Sequence, residues 1–312
     1  MSAIFARSFD DITAAEREQM DAFFKGYDYQ GCGYTFLNYY AWRGSYNLAW
    51  EVIEGYLCAL TLLEEEEGTL ALMSMPMTKD GSYDIGRLRD CLNECRRRFR
   101  ETGIAFAITV PAHMMHLLEE AFPGELQAEV SRDYSDYVYL KEKLIDLSGR
   151  ALHKKKNHLN YFLRTYEYEA RPITPAMRDE VLALADEIKQ VKELDPEETE
   201  SIDSEYEAIA ETLALLDQEK LYTVAVYVKG KLEAFAIGER LSENTAVEHF
   251  EKANDAYRGL YQLVLREFCE RLPEEIVFVN REEDMGLLNL RQAKEALKPD
   301  HMMETCYVTF TA

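Results

Sequence analysis

Residues 221–241 have the sequence Leu221-Tyr-Thr-Val-Ala-Val-Tyr-Val-Lys-Gly-Lys-Leu-Glu-Ala-Phe-Ala-Ile-Gly-Glu-Arg-Leu241. Two apolar, β-branched runs flank Lys229-Gly230-Lys231, and this pattern predicts two strands joined by a tight hairpin turn. The elements predicted after the hairpin are a strand at 245–252, a helix at 257–272, a strand at 275–280, a helix at 286–297 and a strand at 302–311. The segment therefore predicts an antiparallel meander followed by helix, strand, helix and strand.

The first half of the chain repeats this order of elements. Thr13-Ala-Ala-Glu16 is a capping box that begins a helix running to about Lys25. The elements predicted after it are strands at 46–54, 56–63 and 69–76, an amphipathic helix at 83–100, a strand at 104–110, a helix at 111–122 and an alternating stretch at 126–140. The two halves share an order of elements but no residue-level identity.

This order matches the acetyltransferase fold, a mixed sheet that splays between its fourth and fifth strands. The second half opens with a strand at 168–173 and two helices, and a helix-like connector at 148–165 joins the halves. We therefore predict an α/β (α+β) protein of two tandem acetyltransferase-like domains, each a mostly antiparallel sheet flanked by helices. The predicted domains are 1–148 and 149–312, and we expect the second to carry the active cleft.

Charge and apolar content limit the possible partners. The net charge is −23, from 58 acidic and 35 basic residues, so long-range repulsion opposes general binding to nucleic acid, DNA included, or to an anionic membrane. The segment His153–Arg164 is a basic island in this acidic chain. No apolar run approaches the roughly 20 residues of a membrane-spanning helix, and the N-terminus lacks an apolar signal core. We therefore expect a cytoplasmic protein with no transmembrane segment.

The six cysteines form no CxxC pair. Cys91 and Cys95 share one face of a predicted helix, but a metal site would need two further ligands that the sequence does not place nearby. The expectation is buried, free thiols and no bound metal.

Several segments resemble one known family. They are Asp133–Leu140 with His153–Asn160, Tyr257–Val264, Asn280–Gly286 with Leu290–Lys294, and Phe36–Trp42. Together they are similar to soluble proteins related to the C-terminal catalytic region of phosphatidylglycerol lysyltransferase. The resemblance implies transfer of an activated acyl or aminoacyl group to an amine or hydroxyl. It implies acyl-CoA or aminoacyl-tRNA as the donor, a small-molecule or lipid-like acceptor, and no tightly bound cofactor.

The junction Asn254–Gln262 is the predicted donor site. In acetyltransferases, backbone N–H groups at this helix start bind a pyrophosphate. Arg258 would add charge and Gly259 would allow close backbone approach, with Tyr261 and Gln262 beside them. The usual R-x-x-G-x-G loop has further glycines that this chain lacks. The alternative is an ordinary helix start with an exposed arginine.

Candidate catalytic residues follow the strand at 275–280, at the carboxyl end where open α/β sheets bind ligands. Glu283 and Asp284, with Glu282, are candidate proton acceptors, and Asn280 could orient a substrate carbonyl. The alternative is that these acids only stabilise the N-terminal dipole of the next helix.

Glu248 and His249 are neighbours in a strand, so we expect them on opposite sides of the sheet. One of them could face the cleft as a general base. A histidine or acid satisfied within the fold is the alternative.

Basic residues supply candidate substrate contacts. Arg291 and Lys294, three residues apart on a helix, could neutralise a carboxylate or phosphate, or form a solvated face. His153, Lys154 and His158 in the basic island could receive the acceptor arm of a tRNA, or form salt bridges with acidic runs. Two functions remain open: an acyl- or aminoacyltransferase, or a non-catalytic member that binds a small ligand or a protein.

Overall fold

The computed structural model describes residues 5–9, 12–24, 29–65, 68–191 and 196–311. The chain divides into two compact units. The first unit is Met1–Ser135 with Met303–Ala312, and the second is Asp136–Met302. These units are defined by packing contacts and divide the chain at other places than 148/149. The predicted domains, 1–148 and 149–312, stay a prediction.

The helices and strands of the described residues are, in chain order, β1 (Arg7–Ser8), α1 (Ala14–Phe24), α2 (Phe36–Trp42), β2 (Ala49–Ile53), β3 (Tyr56–Glu65), β4 (Gly68–Ser74), α3 (Ile85–Thr102), β5 (Ala105–Pro111), α4 (Met115–Ala121), β6 (Leu126–Leu140), α5 (Lys141–Asp146), α6 (His153–Thr165), β7 (Tyr168–Arg171), α7 (Arg178–Val191), α8 (Pro196–Ala214), β8 (Leu221–Val228), β9 (Lys231–Arg240), β10 (Thr245–Ala253), α9 (Leu260–Arg271), β11 (Phe278–Asn280), α10 (Leu288–Glu295) and β12 (His301–Phe310). Short 3₁₀ turns precede α2, α4, α6 and α7.

The first unit has a mixed sheet in the order β1-β2-β3-β4-β5-β12-β6. β2, β3 and β4 form an antiparallel meander, β5 runs parallel to β4, and β12 runs antiparallel to β5. The crossover helix α3 begins at Asp84, whose carboxylate accepts from Arg87 N at 2.9 Å, and ends at Gly103, with φ +71°. Its buried face is Leu88, Cys91, Leu92, Cys95 and Phe99. The amphipathic helix predicted at 83–100 therefore packs through the expected apolar side.

The second unit has the sheet order β6-β11-β10-β9-β8-β7. β8 and β9 form the predicted hairpin, and its turn residues Lys229 and Gly230 both have positive φ. β11 pairs in parallel with β10 only from Thr245–Phe278 to Val247–Asn280. β10 continues to Ala253 without β11, so a gap opens beside it. This is the strand separation that the acetyltransferase-type order predicts.

Each unit is completed by a strand from the other half of the sequence. β12, at the end of the chain, pairs with β5 in the first unit. The last residues of β6 pair with β11 in the second unit, with Phe278 opposite Leu140. The sequence predicted both strands but assigned each to its own half. That assignment was wrong. The alternation of apolar and polar residues shows which face of a strand is buried, but it does not show which strand lies beside it.

The fold class is confirmed: both units are mostly antiparallel, mixed sheets flanked by helices, in the acetyltransferase-type order. The capping box is also present, with Glu16 N donating to Thr13 Oγ1 and Thr13 N to Glu16 Oε2. The sequence missed α2, whose N-cap Thr35 accepts from Asn38 N at 3.1 Å. Within the described ranges, no helix combines the length and the apolar character needed to cross a bilayer.

Deleting residues 303–312 tests the exchange of strands. Loss of β12 leaves β5 without its antiparallel partner, so amide exchange in β5 should rise roughly 100-fold or more. The β8–β9 hairpin should keep its protection. Hydrogen exchange measured by mass spectrometry checks both, and deletion of Ala312 alone is the control. Unchanged protection in β5 would contradict the assigned pairing.

Candidate functional site

A buried arginine fills the gap between β10 and the end of β11. Arg281 Nε lies 2.5 Å from Glu248 Oε2, and Arg281 Nη2 lies 3.0 Å from Glu251 Oε2. The three side chains are 14%, 1% and 12% exposed. A cation removed from water requires paired counter-charges, so these two glutamates fix the position of the guanidinium. Sequence reasoning singled out neither Arg281 nor Glu251.

A β-bulge brings the two glutamates to one cation. Glu248 and Glu251 are three positions apart in the sequence. In a regular strand, two residues at this spacing would point to opposite faces. The register with β9 shifts between Glu248 and Phe250, which adds one residue to β10 at His249. Glu248 and His249 still point to opposite sides of the sheet, as expected, because His249 bonds to Glu239, whose neighbour Gly238 is the residue paired with Glu248.

His249 lies between two carboxylates and is 3% exposed. Its Nδ1 is 2.7 Å from Glu282 Oε1 and its Nε2 is 3.1 Å from Glu239 Oε1. Burial alone would lower the pKa of His249, but the hydrogen bonds to Glu239 and Glu282 outweigh it and raise the pKa to about 10. At neutral pH His249 is therefore an imidazolium that donates both ring protons. An imidazolium would have to lose a proton before it could act as the expected general base, and that role stays a prediction.

Glu248, Glu251, Glu283 and Asp284 form the carboxyl cluster of the second unit. Two of these groups titrate near neutral pH. Burial raises the pKa of Glu251 to about 8, although Arg281 opposes the rise. Burial, followed by the charges of Asp136 and Glu282, raises the pKa of Glu283 to about 7. Shifts of this kind into the working range of a proton acceptor are typical of catalytic sites. Glu283 was a sequence candidate, and its catalytic role stays a prediction.

Asn280 orients the start of the segment after β11. Its Nδ2 donates to Asp136 Oδ2 at 2.8 Å, and its Oδ1 accepts from Glu282 N at 2.6 Å. The side chain is fully buried, so both ends of the amide are committed to the protein. The geometry describes a residue that shapes the loop, and its predicted contact with a substrate carbonyl stays untested.

Asp284 is a fixed negative charge. Arg291 binds it in a bidentate manner at 2.8 and 2.7 Å, and the Tyr137 hydroxyl donates to it at 2.6 Å. Hydrogen bonds from Arg291 and Tyr137 hold the pKa of Asp284 far below its usual value. A carboxylate this acidic is a poor proton acceptor at neutral pH. Arg291, a predicted substrate contact, is engaged by this aspartate.

Lys294 holds the same loop from the other side. Its Nζ donates to the carbonyl oxygens of Arg281 and Glu283 and lies 5.8 Å from the centre of the Tyr137 ring. Burial lowers the pKa of Lys294. Lys294 and Arg291, one turn apart on α10, therefore fix residues 281–284, whereas the sequence proposed them for substrate.

The predicted donor site at the start of α9 is covered by α6. Gly259 has φ +96°, and a Cβ there would lie 2.2 Å from the carbonyl oxygen of His158. The close approach that this glycine permits is to the backbone of α6. The Arg258 guanidinium stacks on Tyr161, also in α6, at 5.2 Å from the ring centre. The expected pyrophosphate position is thus adjacent to a protein backbone.

The remaining predicted residues occupy the surroundings of this contact. Tyr261 packs against the hydrophobic core, and burial strongly raises its pKa. Gln262 is half-buried on the same helix. In α6, His153 Nδ1 lies 3.3 Å from Asn157 Nδ2, as the spacing predicts, and burial lowers the pKa of His158. Donor or substrate contacts of these residues stay predictions.

Helix α6 connects a basic surface to the carboxyl cluster. Lys154, Lys156 and Arg164 are exposed, and no acidic side chain in the described part of the chain forms an ion pair with them. The alternative of salt bridges with the acidic runs stays open, because parts of those runs lie outside the described residues. Lys155 is half-buried. Burial lowers its pKa, the charge of Arg281 lowers it further, and the charge of Glu251 opposes the decrease.

Two acetyltransferase-type sheets, with a polar cluster at the strand gap of the second, define the structural class of this protein. The model of the family described as "Phosphatidylglycerol lysyltransferase, C-terminal" matches residues 24–310. The chain belongs to this family, which confirms the resemblance found in the sequence.

Three relatives show how far the similarity extends. A conserved protein of unknown function from Bacteroides thetaiotaomicron VPI-5482 is 30% identical, with a TM-score of 0.84 over 97% of this chain and 98% of that chain. The C-terminal domain of a putative lysylphosphatidylglycerol synthetase from Agrobacterium fabrum shares the fold at 12% identity, with a TM-score of 0.59 over 95% and 92% of the two chains. The uncharacterized protein MYCGA3080 of Mycoplasmoides gallisepticum is 25% identical over 170 residues, 54% of each chain. The chain therefore spans about half the length of that curated relative.

Replacing His249 by Gln should give a pH-dependent loss of stability. Because the pKa is raised on folding, the stabilisation is complete below about pH 6.5 and is lost as the pH rises through about 10. We expect the variant to be less stable by roughly 2–4 kcal/mol at pH 6, with the difference shrinking toward pH 10. Urea unfolding at pH 6, 8 and 10 measures it, with the exposed His153→Gln as control. A difference that does not change with pH would refute the assigned imidazolium.

Proposed function

We propose that the protein is an aminoacyltransferase whose second unit moves an aminoacyl group from an RNA ester to an amine or hydroxyl acceptor. The observation that supports this most directly is the position of α6. Lys154 and Lys156 are exposed and form no ion pair with an acidic side chain of the described residues. Lys155 is half-buried, and the charges of Arg281 and Glu251 act on its pKa. A polyanionic donor held along the helix would present its reactive end to a carboxyl group that titrates near neutral pH.

Two features of α6 and α9 favour RNA over coenzyme A as the donor: the blocked start of α9 and the exposed cations of α6. A coenzyme A pyrophosphate would need the free N–H groups at the start of α9, but the backbone of α6 lies against Gly259 there. A helix with exposed cations suits a sugar-phosphate backbone instead. The net charge of −23 confines such binding to this helix and makes it sensitive to salt.

The proposed reaction is attack on an ester carbonyl. The acceptor nitrogen or oxygen forms a bond to the carbonyl carbon, and its proton passes to the ionised Glu251. The ester carbon–oxygen bond breaks, and the departing ribose oxygen takes up the proton that Glu251 returns. Arg281 holds Glu251 in place, and Lys155 adds positive charge near the oxygen that becomes negative.

A second candidate is a non-catalytic member that binds a ligand or a protein. Arg281 favours it, because its guanidinium is paired with both Glu248 and Glu251 and occupies the gap where a donor carbonyl would lie. This candidate predicts binding without transfer.

Replacing Glu251 by Gln should lower kcat about 10²- to 10⁴-fold and leave the KM for the donor nearly unchanged. The wild-type rate should rise with pH to a midpoint near 8, and the variant should lose this rise. The measurement is transfer from radiolabelled aminoacyl-tRNA to a panel of amines, polyols and phosphatidylglycerol vesicles. Glu274→Gln, at an exposed and unpaired site in the same unit, is the control. Donor binding without transfer to any acceptor would favour the second candidate.

The double substitution Lys154→Gln and Lys156→Gln should weaken tRNA binding and reduce the slope of log affinity against log salt by about 1 to 2. Fluorescence anisotropy with labelled tRNA at four salt concentrations measures this. The matched control is Lys220→Gln with Lys229→Gln, two exposed lysines of the same unit. Equal slopes for both double variants, or displacement of tRNA by acetyl-CoA, would count against the proposed donor.

A further inference from the structure

Three cysteines of the first unit meet in its core. Cys58 lies on β3, and Cys91 and Cys95 lie one turn apart on α3. The three Sγ atoms are all within 4.8 Å of one another, and those of Cys58 and Cys91 are 3.4 Å apart. All three side chains are fully buried. The sequence offered only the pair on α3, and tertiary packing adds the third sulfur from the facing strand.

From this geometry we propose that Cys58, Cys91 and Cys95 form a binding site for a thiophilic monovalent metal ion of the Cu(I) class. Three sulfurs at about 2.3 Å from one metal lie about 4 Å apart, between the 3.4 Å that separates Cys58 from Cys91 and the 4.8 Å within which all three sulfurs lie. A disulfide would instead require two of the sulfurs to approach to about 2.0 Å across a strand–helix contact.

The ligand set favours Cu(I) over Zn(II). Soft thiolates select Cu(I), and structural zinc sites take four ligands in a tetrahedron. Among the described residues, no histidine, carboxylate or further cysteine joins these three sulfurs. The cluster lies among buried apolar side chains such as Leu88, which keep water from acting as a further ligand.

The thiols already lie in mutual contact, with the Sγ atoms of Cys58 and Cys91 3.4 Å apart. Binding of a metal displaces thiol protons, so uptake should become stronger as the pH rises. Glu94 and Arg98, which interact with Cys95, are partly exposed, so the cluster lies one side chain below the surface.

The test is anaerobic titration of the full-length, reduced protein with Cu(I) against a competing chelator, bathocuproine disulfonate. We expect one Cu(I) per chain, a sulfur-to-copper absorption band in the ultraviolet, and X-ray absorption showing three sulfurs at about 2.3 Å. Cys58→Ala, Cys91→Ala and Cys95→Ala should each weaken binding at least about 100-fold. Cys306→Ala, at another buried thiol of the same unit, should bind as the wild type does.

Several results would overturn the site. They are no uptake of Cu(I) by the wild type, uptake that is equal in the three cluster variants, or a wild-type spectrum with fewer than three sulfur ligands. Tighter binding of Zn(II) than of Cu(I) at the same cysteines would overturn the assigned metal class. Because the absorption spectrum is measured on the wild type, the test stands even where a variant fails to fold.

Discussion

Burial of the Arg281 guanidinium beside the end of β11 governs the arrangement of the second unit's polar groups. An unpaired charge in this position would cost several kcal/mol, so carboxylates must lie against it. The bulge at His249 supplies two of them from one strand. Two acids around one cation leave a negative charge in excess, and the raised pKa of Glu251 and the nearby Lys155 both relieve it.

A buried ion-pair network of this kind does not by itself stabilise a fold. Buried ion pairs can often be replaced by apolar side chains at no loss of stability, whereas removing one partner is costly. The cluster also separates its acids into classes: Asp284 is held ionised by Arg291, while Glu251 and Glu283 titrate near neutral pH. Opposed pKa shifts in neighbouring carboxyl groups are typical of proton-transfer sites, and they support the function proposed for these residues.

The contact between α6 and α9 depends on the positive φ of Gly259, and it bears on which donor the proposed reaction would use. Gly259 is needed because the carbonyl of His158 lies where any Cβ would be. The same contact removes the free helix start that a pyrophosphate would use and places the basic side of α6 outward. In a strongly acidic chain, this local basic surface is where the proposed anionic donor would bind.

Much of the fold followed from local pattern. The hairpin at Lys229-Gly230, the capping box at Thr13 and the apolar face of α3 are decided by residues close in sequence, and each is present. The site was predicted less completely. Asn280, Glu283 and Lys294 lie together as the motifs suggested, but Arg281 and Glu251 were missed, because an arginine and a glutamate gain meaning only when burial forces them to pair.

By itself, the sequence determined the periodicity of the elements, their order and the family, since these depend on neighbouring residues and on motifs. Only the tertiary structure decided which sheet each closing strand joins, which carboxyl groups hold protons and how Cys58 meets Cys91 and Cys95. The reason is physical. Strand pairing, desolvation and ligand geometry depend on distances of a few ångströms between residues far apart in the chain, and no local pattern encodes those distances.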